Sequence, residues 1–200
     1  MLKLIIGNKS TSSWSMRPWL VLKTTKISFE EIEFDHRSSS FKQDILPYSP
    51  TLKVPVLWDG DLVIWDSLAI CEYLAEKVPS LWPQDPSFRA IARSVTAEMH
   101  SGFLPLRRAL PMELSQTHLS YESTPELEKD IQRIIQIWEN RKGTFLFGDW
   151  SIADAFFTPV ATRFLSYNIP VPPYVKDYIQ TLLSTAQYQE WHTQALINKA

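Results

Sequence analysis

Several short stretches of this chain carry side chains able to do chemistry. Ser12 and Ser13 sit at the head of Ser12-Ser13-Trp14-Ser15-Met16-Arg17, just after the apolar run Leu2 to Ile6 and a polar loop that opens at Gly7. A hydroxyl at the start of a helix can donate to an anionic ligand atom, and the positive end of the helix dipole adds to that effect. Serine in this position serves equally well as a plain helix cap. Asp66-Ser67 precedes Leu68, Cys71, Leu74, Ala75 and Val78 at helical spacing. This pair offers a hydroxyl and open backbone N–H groups to a carboxylate, and its own carboxylate to an ammonium, or it too simply caps. Arg107 and Arg108 follow Met99, His100 and Phe103 and can meet an acidic small molecule or lie on a solvated helix face.

The inventory also excludes chemistry. His36, His100, His118 and His192 have no H-E-x-x-H spacing and no cysteine cluster beside them, so no metal site is expected. Cys71 falls inside a helical pattern and reads as a small core residue. Five glycines, none closely spaced, cannot build a phosphate-cradling loop. Lys+Arg 20 against Asp+Glu 22 leaves a net charge of -2, balanced on both sides of residue 80, which argues against nucleic acid or an anionic membrane as partner. No apolar stretch approaches the roughly 18 residues of a bilayer span, and Leu2 to Ile6 is too short for a secretory segment. With one cysteine, the chain reads as cytoplasmic.

The elements that must position these residues follow from periodicity. Hydrophobic residues at 44% and charged residues at 21% are globular proportions, and 200 residues make one large domain or two small ones. Leu2 to Ile6 is a strand; a helix capped by Ser15, with Pro18 in its first turn, comes next; Phe29 to Phe34 alternates as a half-exposed strand. A short helical piece spans Phe41 to Leu46. Val54 to Trp58 and Leu62 to Trp65 flank Asp59-Gly60-Asp61 as a hairpin. After the helix that Asp66-Ser67 opens, the proline-rich stretch Pro79 to Pro86 marks a boundary. Beyond it the patterns are helical: Val95, Met99, Phe103 and Leu106 on one face, a helix opened by Thr124-Pro125 with Leu127, Ile131, Ile134, Ile135 and Trp138, and a capping box at Ser151 to Asp154.

The fold class is therefore α/β plus all-α. A β-α-β-α-β-β-α unit over 1–80 and a helical bundle over 86–200 resemble the glutathione S-transferase superfamily, with its thioredoxin-like first domain. Four motifs carry the resemblance in order: Ser12 to Arg17, Lys53-Val54-Pro55, Asp66-Ser67-Leu68-Ala69-Ile70, and Gly148 to Asp154. The first is most similar to the zeta class and related bacterial serine-type transferases. Zeta proteins carry cysteine at the position of Trp14 and glutamine at that of Leu104.

This resemblance implies a glutathione transferase: reduced glutathione as co-substrate, a small electrophile as the other reactant, and a homodimer. It implies Ser12, with Ser13 as alternate, as the hydroxyl that stabilises the thiolate. Trp14, Ser40, Lys53, Val54, Pro55 (cis), Asp66 and Ser67 would contact glutathione. Met99, His100, Phe103, Arg107 and Arg108 would line the pocket of the electrophile. The alternatives are a maleylacetoacetate-type isomerase, with Arg17, Arg107, Arg108 and Arg163 as available cations, and a non-catalytic binding protein of the same fold.

Overall fold

Residues 1–35 and 37–197 are described in a computed structural model of the chain. His36, weighed above as a metal ligand, and residues 198–200 of the helical region lie outside the described residues. The elements run β1 (Leu2–Gly7), α1 (Ser13–Thr25), β2 (Phe29–Phe34), α2 (Phe41–Ile45), β3 (Val56–Asp59), β4 (Leu62–Trp65) and α3 (Ser67–Lys77). There follow α4 (Pro86–Ser101), α5 (Leu104–Ala109), α6 (Pro125–Glu139), α7 (Ile152–Ser166), α8 (Pro173–Leu183) and α9 (Ala186–Ile197). A thioredoxin-like unit and a helical unit are thus present.

The sheet order is β2-β1-β3-β4, with β1 parallel to β2 and antiparallel to β3. Asp59 pairs with Leu62 across the hairpin, and Gly60 takes the left-handed φ of 60° that so tight a turn demands. Because side chains alternate across a strand, β1 serves two cores. Leu2, Leu4 and Ile6 join Met16, Leu20, Ile70 and Leu74 beneath α1 and α3, whereas Ile5 joins Ile45 and Val56 under α2.

In the helical unit α7 is the axle. Every residue from Ile152 to Phe164 is buried, as befits a helix that is apolar all round, and α7 packs on α1, α4 and α8. Its start is fixed by the Ser151 to Asp154 box. Asp154 Oδ2 accepts from the Ser151 N–H at 2.9 Å and hydroxyl at 3.0 Å, while Oδ1 accepts from the Leu146 N–H at 3.0 Å and the Tyr178 hydroxyl at 2.8 Å. One carboxylate thereby ties α7 to the 140s loop and to α8.

Two expectations need correction. Ser15 does not cap α1: the helix starts at Ser13, so Pro18 lies in its interior and Ser15 is its third residue, within the first turn. Its hydroxyl instead accepts the Gly7 N–H at 3.0 Å, giving the end of β1 an acceptor. Phe103 and Leu106 do not continue the face of Val95 and Met99. The chain breaks after Ser101, Phe103 turns to a left-handed φ of 60°, and α5 begins with Pro105 in its first turn. Proline lacks the N–H that would bond the carbonyl of Ser101 and its ring would clash there, so one continuous helix is impossible.

Burial pushes the Asp154 carboxyl up to about 6, against the pull of its four hydrogen bonds. A carboxyl whose folded-state pKa is raised stabilises the fold at low pH and loses that contribution as pH rises through the folded value. Asp154→Asn removes this titration. The stability advantage of the native chain over Asp154→Asn, read from urea unfolding, should therefore be larger at pH 4.5 than at pH 7.5, by roughly 2 kcal/mol.

Candidate functional site

The loop from residue 8 to residue 12, between β1 and α1, is held on all sides. Asn8 O accepts from the N–H groups of Thr11 and Ser12, Ser10 O accepts from Leu114 N–H at 3.1 Å, and Lys9 O accepts from the Trp191 indole N–H at 3.0 Å. Lys9 is itself buried, its ammonium paired with Glu31 and Glu33 on β2. Gly7 completes the arrangement: a Cβ there would lie 3.0 Å from both Ser12 Oγ and Val54 Cγ2, so the absence of one lets these two residues close on the end of β1.

From this loop the two serines diverge. Ser12 stands beside Val54 and donates to Ser15 Oγ at 2.8 Å. Ser13 turns toward the helical unit, where its Oγ accepts from Arg163 Nη2 at 3.1 Å.

A cavity of about 660 Å³ opens next to Val54-Pro55, whose peptide bond is cis, and is lined by Trp14, Lys53, Pro55, Asp66, Ser67 and His100. Asp66 adopts a positive φ of 75°, unusual for a residue with a side chain, and caps α3: its Oδ1 accepts from the N–H groups of Leu68 at 2.9 Å and Ala69 at 3.3 Å. Its Oδ2 lies 3.1 Å from His100 Nε2, across from α4. Burial draws the His100 imidazole below its usual range; Asp66 pulls it back up. Ser67 is only 2% exposed, and its hydroxyl has no hydrogen-bond partner among the described residues although the residue lines the cavity. A buried polar group left so costs about 1–3 kcal/mol, which a carboxylate oxygen arriving at the head of α3 would recover.

A second cavity, of about 540 Å³, lies between the units and is lined by Ser13, Trp14, Glu113, Arg163, Tyr167 and Arg107. Arg163 is buried and reaches it with its fork already engaged: Nε donates to Leu110 O at 2.8 Å and Nη1 to Pro159 O at 3.0 Å. Burial and then Arg107 bring its pKa down to about 9. Arg107 is held by the carbonyls of Gly102 and Met99. Two cations at one cavity, both partly stripped of water, suit an anionic reactant.

The expected residues thus divide. Trp14, Lys53, Val54, Pro55, Asp66 and Ser67 come together at the first cavity; Ser13 and Arg107 stand at the second, and His100 belongs to the first rather than the second. Met99 and Phe103, expected on a pocket wall, are instead core residues at 1% and 7% exposure: Met99 lies on the buried face of α4 with Ala92 and Val95, and Phe103 enters the core from its left-handed backbone after the break. Arg108 is exposed and lines neither cavity, and Ser40 is exposed at the head of α2, bonded to Asp44. Tyr167 and Glu113 were not foreseen. Arg163 and Tyr167 stand four apart at the end of an otherwise apolar helix, a signal that was there to be read; Glu113 sits in a segment without periodicity and had none. Among the described residues no group of His, Cys, Asp and Glu could hold a metal ion, and no helix is long and apolar enough to cross a membrane.

The chain can be set beside known proteins. Residues 11–85 match the family model of the glutathione S-transferase N-terminal domain. Maleylacetoacetate isomerase of Rattus norvegicus is 27% identical over 193 residues, covering 92% of this chain and 88% of that protein. Glutathione S-transferase 1 of Dianthus caryophyllus is 28% identical over 158 residues, covering 75% of this chain and 71% of that protein. A Burkholderia glutathione transferase homolog, solved with bound glutathione, has a TM-score of 0.76 at 26% identity, covering 100% of this chain and 99% of that one. Residues 11–85 thus form a glutathione S-transferase N-terminal domain, and over its whole length the chain is similar to proteins of the glutathione S-transferase superfamily, those of the zeta-like branch included.

Proposed function

We propose that this enzyme binds reduced glutathione in the first cavity, holds its thiol as thiolate at the head of α1, and transfers it to a small electrophile in the second. The observation that carries this reading is the buried, unpartnered hydroxyl of Ser67 beside Asp66 at the N-terminus of α3. A γ-glutamyl group has both charges this pair wants: its α-carboxylate for Ser67 and the α3 amides, its ammonium for Asp66. Val54, next to the cis bond, offers its backbone N–H and C=O to the cysteinyl part as an added strand would, and Lys53 lies toward the glycyl carboxylate.

The sulfur then points at the serine loop. A free thiol titrates near 8.5 and reacts as thiolate, so the site must favour the anion. A donated hydroxyl proton and the N-terminus of α1 do so. Ser12, adjacent to Val54, turns its proton from Ser15 to the sulfur; Ser13, whose oxygen is engaged by Arg163, is the alternate. In conjugation the sulfur lone pair forms the C–S bond while the leaving group departs with its electron pair. We assign these steps to two working units, 1–80 for glutathione and 86–200 for the co-substrate, in a reducing cytoplasm.

A second reading is favoured by Arg163 and Arg107 at the second cavity. Like the rat maleylacetoacetate isomerase it is related to, the enzyme would take a cis-alkene dicarboxylate. The thiolate adds to the double bond, the resulting single bond rotates, and elimination returns the thiolate and the trans product. No leaving group is needed, and the cations hold the carboxylates throughout. Turnover of maleylacetoacetate analogues against haloarenes separates the two readings. A homodimer is supported by the exposed apolar residues Leu62, Trp65, Ile91 and Leu104, and sedimentation should find a dimer-sized species.

If Ser67 holds the γ-glutamyl carboxylate, Ser67→Ala should weaken glutathione binding by about 1.5–3 kcal/mol, the scale of a hydrogen bond to a charged group, in titration calorimetry. Wild-type affinity in that variant removes the assignment. Ser12→Ala should raise the pKa of the bound thiol in an ultraviolet titration and lower kcat with little change in glutathione affinity. An unchanged titration there, with a raised value in Ser13→Ala, transfers the role to Ser13.

A further inference from the structure

Among the described residues, Trp14 is the one that lines both cavities. Its indole is held from three elements. The guanidinium carbon of Arg17, one turn further along α1, lies 4.3 Å from the ring centroid; that of Arg107 on α5 lies 4.5 Å away; and the His100 ring of α4 meets it edge to face at 5.5 Å. A wall gripped in this way keeps its position when either cavity fills.

Arg17 gives the wall a second task. Its side chain is fully buried, and none of its three guanidinium nitrogens has a hydrogen-bond partner among the described residues. Its charge rests on two aromatic faces instead, those of Trp14 and, at 4.7 Å, of Phe156. The indole therefore stands between a bare guanidinium and both cavities. Without it, the space between the cavities would join, and Arg17 would face whatever occupies them.

We infer that Trp14 is a specificity-determining partition. It limits the electrophile to compounds whose reacting end is slender enough to pass the indole and meet the sulfur, and by covering Arg17 it lowers the preference for anionic reactants. This rests on the glutathione reading above. The partition belongs to no reaction step; it selects which carbon can come within bonding distance of the thiolate.

The test uses the full chain and three chloromethyl compounds with one leaving group: benzyl chloride, 9-(chloromethyl)anthracene for breadth and 4-(chloromethyl)benzoate for charge. Calorimetry first establishes glutathione binding by the native chain and each variant. In Trp14→Ala the ratio of kcat/KM for the anthracenyl compound over benzyl chloride should rise by about tenfold or more, the scale on which pocket size discriminates. The ratio for the benzoate over benzyl chloride should rise about fivefold, because a desolvated guanidinium then faces the reactant. Trp14→Phe, which keeps a ring in place, should leave both ratios within about threefold of the native values. Ratios unchanged in Trp14→Ala, or an equal loss on all three compounds, overturn the inference while leaving the glutathione reading intact. Should Trp14→Ala fail to fold, Trp14→Leu carries the same expectation at smaller amplitude and the same refutation. A native chain that binds no glutathione refutes the underlying reading and the partition with it.

Discussion

Everything at this site hangs on how the loop between β1 and α1 is pinned. Five residues of irregular backbone have several amides and carbonyls to satisfy, and the chain answers them from remote places: the Leu114 amide for Ser10, the Trp191 indole for Lys9. Ser10 also donates to Glu113 at 2.5 Å. The helical unit thereby sets the conformation of a loop that belongs, by sequence, to the sheet. The interface between the units is part of the site and not a boundary beside it.

Electrostatics follow from the same packing. Arg17, Arg107 and Arg163 converge from α1, α5 and α7 around the serines, and burial works against the charge of each. Their partners are mostly carbonyl dipoles and aromatic faces, with Asp66 and Asp130 more distant. Three arginines against the Glu113 carboxylate at the second cavity leave an excess of positive charge, a standing potential for a negative ligand that is stronger for being shielded from solvent. A thiolate and a carboxylated reactant are both ligands of that kind.

Much of the fold was legible because its signals are local. Asp59-Gly60-Asp61 between alternating strands can be little but a hairpin, and Asp66-Ser67 before an apolar helix announces a helix start whatever else it does. The Ser151 to Asp154 box reads the same way. What escaped was settled by tertiary contact. Ser15 looked like a cap because serine usually is one, whereas a distant amide at Gly7 needed its oxygen. The break at Gly102 and Phe103 hid inside a helical face that ran smoothly through it, so Phe103 enters the core from a left-handed backbone whereas Met99 is buried on α4 itself. The Asp66-Ser67 and Pro55 motifs were readable through resemblance, but that Ser13 would turn to the second cavity while Ser12 stays buried against Ser15 depends on Arg163, 150 residues further along the chain.

The indole of Trp191 has a temporal consequence. It belongs to α9, yet its hydrogen bond ends at Lys9, 182 residues earlier in the chain. Lys23 of α1 and Glu190 of α9 strengthen the same joint with an ion pair at 2.6 Å. During synthesis the sheet and α1 leave the ribosome long before α9 exists, so they can acquire their secondary structure while the serine loop still lacks the contact that shapes it. The nascent chain thus passes through a stage that is folded in outline while the serine loop still lacks one of its fixings, which arrives only when α9 packs against α1.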